Sequence, residues 1–136
     1  MRDQKTPVII FSVDRASREP KINIEARTDA ELTLHSSGIQ FTRVLGSYKG
    51  DLEHSYMVHA KHFDAIKELA KTFNQESILI LDNERRASLV YTDGTLIDGH
   101  DYTKIGQFKA VDERTAKAGD AWTYRANINQ YYVVRG

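Results

Sequence analysis

The chain has no cysteine among its 136 residues. That removes disulfides, thiolate metal sites and a cysteine nucleophile, and it leaves the redox compartment unmarked, although a cytosolic setting fits. Net charge is also missing, since nineteen Lys and Arg balance nineteen Asp and Glu. No overall field draws in nucleic acid or an anionic membrane, and a DNA-mimicking inhibitor would need a strong acidic excess. No apolar run approaches the roughly 18 residues of a membrane span. The opening MRDQKTPVIIFS has too short an apolar core for a signal peptide. There is no GxGxxG, no Walker loop and no Gly-x-Ser-x-Gly elbow, so a phosphate cradle and a serine hydrolase are poorly supported. Repeats, low-complexity tracts and linkers are absent as well. The expectation is one soluble intracellular domain, residues 1–136, with an ordinary apolar content of 40%.

What is present reads mostly as sheet. Pro7 to Val13 is a β-branched apolar run, expected as a buried strand, and Asp14 to Lys21, broken by Pro20, is expected as a loop. Between Ile22 and Ser36, Ile22, Ala26, Ala30 and Leu34 recur every four residues, which favours a helix ended by Gly38. Ile39 to Tyr48 and Glu53 to Ala60 alternate as strands around a polar turn, and Glu53, Ser55, Met57 and His59 share one face of the second. Phe63, Ile66, Leu69, Ala70 and Phe73 then mark an amphipathic helix over His62 to Asn74. SILIL (77–81) and ASLVYT (87–92) read as a hairpin, and Gln107–Val111, Trp122–Arg125 and Tyr131–Val134 as short strands. This order predicts an α+β fold: a mainly antiparallel sheet with two helices on one face, a loosely ferredoxin-like sandwich.

Few residues invite chemistry. His54 and His59, five apart on a strand, face opposite sides and cannot share an ion without a bulge, so no metal site is expected. Trp122, Tyr124, Tyr131 and Tyr132 read better as aromatic packing on a sheet than as a base-stacking platform at zero net charge. The GSYKGDLEHS stretch is different. It sets Tyr48 five residues before the carboxylate of Glu53 across a Gly-Asp-containing turn, the kind of loop that carries function. Composition and spacing by themselves end at a small soluble α+β domain whose ligand they do not name.

The order of segments resembles the phage-encoded S-adenosylmethionine lyases, formerly called hydrolases. The resemblance lies in GSY with Glu53 opening a strand, the helix running into FNQESILIL, then ASLVYTDG, GQFKAV and YYVV, covering about residues 40 to 134. The interval from Tyr48 to Glu53 is shorter than in the family's best-known member. The resemblance implies catalytic roles for Tyr48 and Glu53, and it points to Ser47, Gln75 and Ser77 as substrate-binding residues, although capping and packing explain Gln75 and Ser77 equally well. It also implies a homotrimer with sites between subunits, no cofactor, and activity in a host cytoplasm. S-adenosylmethionine would give 5′-methylthioadenosine and L-homoserine lactone, depriving restriction systems of their methyl donor. The competing expectations are a non-catalytic module that binds a small molecule or a host enzyme, and a hydrolase that yields homoserine.

Overall fold

The computed structural model describes residues 6–14, 19–94, 96 and 99–135. Residues 15–18 of the expected loop and residues 1–5 of the opening segment lie outside the described residues. Among the described residues there are eight strands: β1 (Val8–Ser12), β2 (Phe41–Tyr48), β3 (Asp51–His59), β4 (Ser77–Leu81), β5 (Arg86–Tyr91), β6 (Tyr102–Val111), β7 (Ala121–Arg125) and β8 (Gln130–Arg135). They close into a barrel in the order β1-β3-β2-β7-β8-β6-β5-β4, and every neighbouring pair is antiparallel.

The ferredoxin-like sandwich is therefore wrong. The C-terminal strands decide the matter, because β7 pairs with β2 and β8 joins β7 to β6, which leaves no sheet edge. Period-two patterning tells which residues share a face but not which strands meet. β6 also begins at Tyr102, five residues before the expected Gln107. A register shift at Ala87/Ser88, opposite Gly106 (φ 130°), breaks its alternation.

Both faces of the wall near β1 are buried, which is why PVIIFSV shows no alternation. Outside, Ile9, Phe11, Tyr56 and Val58 pack under α1 (Pro20–Ser36) and α2 (Phe63–Thr72), through Ala26, Ala30 and Leu34 of the first helix and Ile66 and Ala70 of the second. Tyr56 donates to Glu31 Oε2 (2.8 Å), and Glu31 also accepts from Arg43, so α1 is tied to the wall by polar contacts as well. Inside, Val8, Val44, Met57, Leu81, Ala87 and Phe108 form a second core that plugs one end of the lumen. A five-residue helix, α3 (Glu113–Lys117), is capped by Asp112, whose carboxylate accepts from Thr115 N (2.7 Å). Among the described residues no helix is long and apolar enough to cross a membrane.

Candidate active site

The open end of the lumen is built around the β2–β3 hairpin. Its turn is Lys49-Gly50, with φ of 50° and 88°. Positive φ at both central residues is the type I′ geometry that matches strand twist, and the glycine supplies the second without strain. Tyr48 pairs with Asp51 and Gly46 with Glu53, so Tyr48 and Glu53 are diagonal neighbours on the face that continues into Val44, Ser55 and Met57 inside the barrel. Glu53 thus points into the mouth. Tyr48 stands on its rim, 60% exposed, with the Lys49 ammonium 5.2 Å from its ring centre. By alternation Ser47, paired with Leu52 and Trp122, belongs to the hairpin's other face and meets the mouth at its edge.

A cavity of about 780 Å³ opens at this mouth, and Ser47, Tyr48, Glu53, Gln75 and Ser77 all line it. The five residues singled out from sequence are therefore brought to one place. A larger depression of about 950 Å³ lies on the outer faces of β5, β6 and β8. Its charged residues are Arg86, Lys104, Lys109 and Arg135 against Asp82 alone, an excess of cations unsuited to a cationic ligand.

The mouth holds acids instead. Burial pushes the Glu53 carboxyl above its usual range; the Ser12 hydroxyl opposes this and the charge of Asp14 adds to it. Asp14, just beyond β1, has a side chain only 7% exposed. Its Oδ2 accepts from Arg27 Nη1 (3.1 Å) and from the His54 backbone N–H (2.9 Å), and lies 3.3 Å from His54 Nδ1. Its Oδ1 has no partner among the described residues. The Asp14 backbone is held too: its N–H donates to Ser12 Oγ (3.0 Å), and its carbonyl accepts from Gln75 Nε2 (2.9 Å). The Gln75 backbone carbonyl in turn accepts from the Thr92 hydroxyl, which fixes the residue whose side-chain amide braces the acid beside the mouth.

Asp14 and Ser12 escaped the sequence reading, which placed Ser55 on the Glu53 face without a role. The available signal was the inward set Val8, Ile10, Ser12, which turns polar just where β1 reaches the mouth. It was hidden because the outward set is equally apolar. His54 and His59 do fall on opposite faces, paired with Leu45 and Val8 respectively.

A model of the S-adenosylmethionine lyase family matches residues 9–135, nearly the whole chain. The chain belongs to that family. As an S-adenosylmethionine lyase it acts on a substrate with two cationic groups, a sulfonium and an ammonium, and a mouth lined by Glu53 and Asp14 has the complementary sign. No curated protein matches the lyase.

Proposed function

We propose that the protein cleaves S-adenosylmethionine by attack of the substrate's own carboxylate on its γ-carbon. A carbon–oxygen bond forms as the γ-carbon–sulfur bond breaks, and the bonding pair passes to sulfur. The products are neutral 5′-methylthioadenosine and L-homoserine lactone; no proton has to move in the bond-making step. Nucleophile and leaving group belong to one molecule, so the protein's task is to fold the aminoacyl tail back on itself. Well-oriented intramolecular reactions reach effective molarities of about 10⁵–10⁸ M, or roughly 7–11 kcal/mol.

The observation that supports this reading is the place of Glu53, an inward carboxylate at the mouth of a closed barrel with a raised pKa caused by burial. A buried acid of that kind is poised to ionise against a cation. Its partner is the substrate ammonium, whose charge persists through the reaction, whereas the sulfonium charge disappears. Pairing with the ammonium therefore orients the tail without favouring the ground state over the transition state. Tyr48, diagonal to Glu53 on the rim, steers the carboxylate toward the γ-carbon. Attack neutralises two charges that bulk water holds apart, so a partly desolvated mouth favours it.

The exposed rim around Tyr48 and Leu52, each 60% exposed, fits a homotrimer in which a neighbouring subunit covers the mouth. Phage origin, action in a host cytoplasm and relief from restriction complete the proposal. The test is turnover in heavy-oxygen water followed by mass spectrometry. Unlabelled lactone at early times is expected. Label entering homoserine during turnover, before any lactone opens, would replace this mechanism with hydrolysis.

A further inference from the structure

Toward the mouth, the seam between β1 and β3 is closed by side chains. The paired register ends at Ser12 opposite Ser55. The next residue of β3 is His54, and the polar end of β1 takes both of its backbone groups. Its carbonyl accepts from Ser12 Oγ (2.8 Å), and its N–H donates to Asp14 Oδ2 (2.9 Å). That N–H belongs to the peptide link between Glu53 and His54, so Asp14 grips the chain directly behind the acid of the mouth. Successive residues of an antiparallel strand turn their backbone groups to opposite neighbours, and Glu53 is paired on the far side with Gly46 of β2. The strand is therefore held from both sides at this point. The grip is itself anchored. Ser12 Oγ accepts from the Asp14 N–H (3.0 Å), which closes a circuit of bonds through Ser12, His54 and Asp14. Arg27 of α1 donates to the same Oδ2 (3.1 Å), and Gln75, between α2 and β4, donates to the Asp14 carbonyl (2.9 Å). Asp14 thus joins four parts of the fold.

A carboxylate taken this far out of water is costly unless its oxygens are satisfied. Arg27 offsets part of that cost, yet Asp14 Oδ1 is buried with no partner among the described residues. A neutral side chain would accept from the His54 N–H at lower cost, so the charge points to a use beyond the seam. We infer that Asp14, with Ser12, is a positioning residue for the lyase reaction: acting through the backbone of His54, it fixes where the Glu53 carboxylate stands. Its charge has a second effect. Burial holds the Glu53 carboxyl above its usual range, the Ser12 hydroxyl opposes this, and the neighbouring charge of Asp14 adds to it. Hydrogen bonds from Asp14 keep the acid in place, and its charge helps the acid keep its proton. Neither effect requires Asp14 to touch the substrate. The inference rests on the proposed role of Glu53 and adds what holds that residue ready.

Variants of the full chain test it, each checked for folding by circular dichroism and assayed with S-adenosylmethionine well below its melt. Asp14→Ala removes both effects, and kcat/KM per folded molecule should fall by ~10- to 100-fold, the scale on which a displaced group costs rate. Asp14→Asn keeps an acceptor for the His54 N–H and loses the charge. It should recover kcat/KM to within ~5-fold of wild type at neutral pH, while the acid limb of its kcat/KM profile moves to lower pH, because a charge that raised the Glu53 carboxyl has gone. A residue that only stabilised the fold would move neither the rate per folded molecule nor the limb. Adding Asp14→Ala to Glu53→Gln should lower kcat/KM by less than ~2-fold further, since Asp14 acts through Glu53. Wild-type kcat/KM in folded Asp14→Ala overturns the inference, as does an unmoved acid limb in Asp14→Asn or a full additional loss in the double variant. If Asp14→Ala does not fold, the limb decides. Wild-type turnover by Glu53→Gln takes down the role of Glu53 and the positioning together, whereas an inactive Glu53→Gln beside a fully active Asp14→Ala takes down the positioning alone.

Discussion

Replacing Glu53 with Gln should make the protein more stable and nearly inactive, and the two effects have one cause. In the folded chain the Glu53 carboxyl titrates above its ordinary value because burial disfavours its charged form. In the unfolded chain it titrates near pH 4.3. The folded state therefore holds this proton to higher pH, and stability falls as pH rises from the unfolded pKa to the folded one, then stays at the lower level. Gln has no charge to lose, so Glu53→Gln gains nothing where Glu53 is protonated in both states, and gains the full difference near neutrality. Each pH unit separating the two pKa values is worth about 1.4 kcal/mol. The sign of the gain follows from the direction of the shift: at neutral pH the Gln variant should melt above the wild type. Thermal melts of both proteins from pH 3.5 to 8 should converge at the acid end and separate as pH rises past the unfolded value near 4.3. The same change removes the charge that pairs with the substrate ammonium. With a charge-assisted hydrogen bond worth about 1.5–3 kcal/mol and orientation lost besides, kcat/KM should fall by ~100-fold or more. A variant less stable than wild type at pH 7, or a stability difference that ignores pH, would refute the account of Glu53 as a desolvated acid kept for binding.

Three other changes separate rim, lumen and bracing. Tyr48→Phe should leave Tm within about 1 °C, since the ring is largely exposed, and should lower kcat by ~3- to 30-fold; an unchanged rate takes the hydroxyl out of the reaction. Gly46 sits opposite Glu53, and the three atoms nearest a Cβ built there are the Glu53 carbonyl oxygen at 3.6 Å and two further oxygens at 4.0 Å. Gly46→Val should therefore fold normally while narrowing the mouth, seen as a KM increase of ~10-fold or more with an unaltered melt. Asp14→Ala removes the carboxylate that pairs with Arg27 and strands the His54 backbone N–H. It should cost about 2–3 kcal/mol in urea unfolding, less than a fully buried pair because Arg27 is partly exposed; a cost under 0.5 kcal/mol would mean the bracing is dispensable.

Much of the local structure was legible in the chain, and the closure was not. The three-and-four spacing of Phe63, Ile66, Leu69, Ala70 and Phe73 located α2, and the four-residue recurrence of Ala26, Ala30 and Leu34 located α1, because each helix buries one stripe. Glu53, Ser55 and Met57 were assigned to one face of β3, and that face lines the lumen. Tyr48, Glu53, Gln75 and Ser77 meet at one cavity, although Gln75 turns out to spend its amide on the backbone of Asp14. What could not be read was partnership between distant strands. Leu45 to Tyr48 pair with Ala121 to Tyr124, some 75 residues away, and no period or turn residue reports such a contact. Asp14 stayed hidden for the same reason: it reads as the start of a loop until β3 and α1 arrive beside it.

The seam between β2 and β7 has a bearing on synthesis. One flank of the mouth is the strand that carries Gly46 and Tyr48, and it is fastened only when Ala121–Arg125 arrives and is itself backed by Gln130–Arg135. While those segments are still inside the ribosome, the hairpin that carries Glu53 has an unzipped margin and no lumen behind it. Catalysis should therefore switch on abruptly once Ala121–Arg135 has emerged, and a nascent chain stalled before residue 121 should leave the methyl donor untouched.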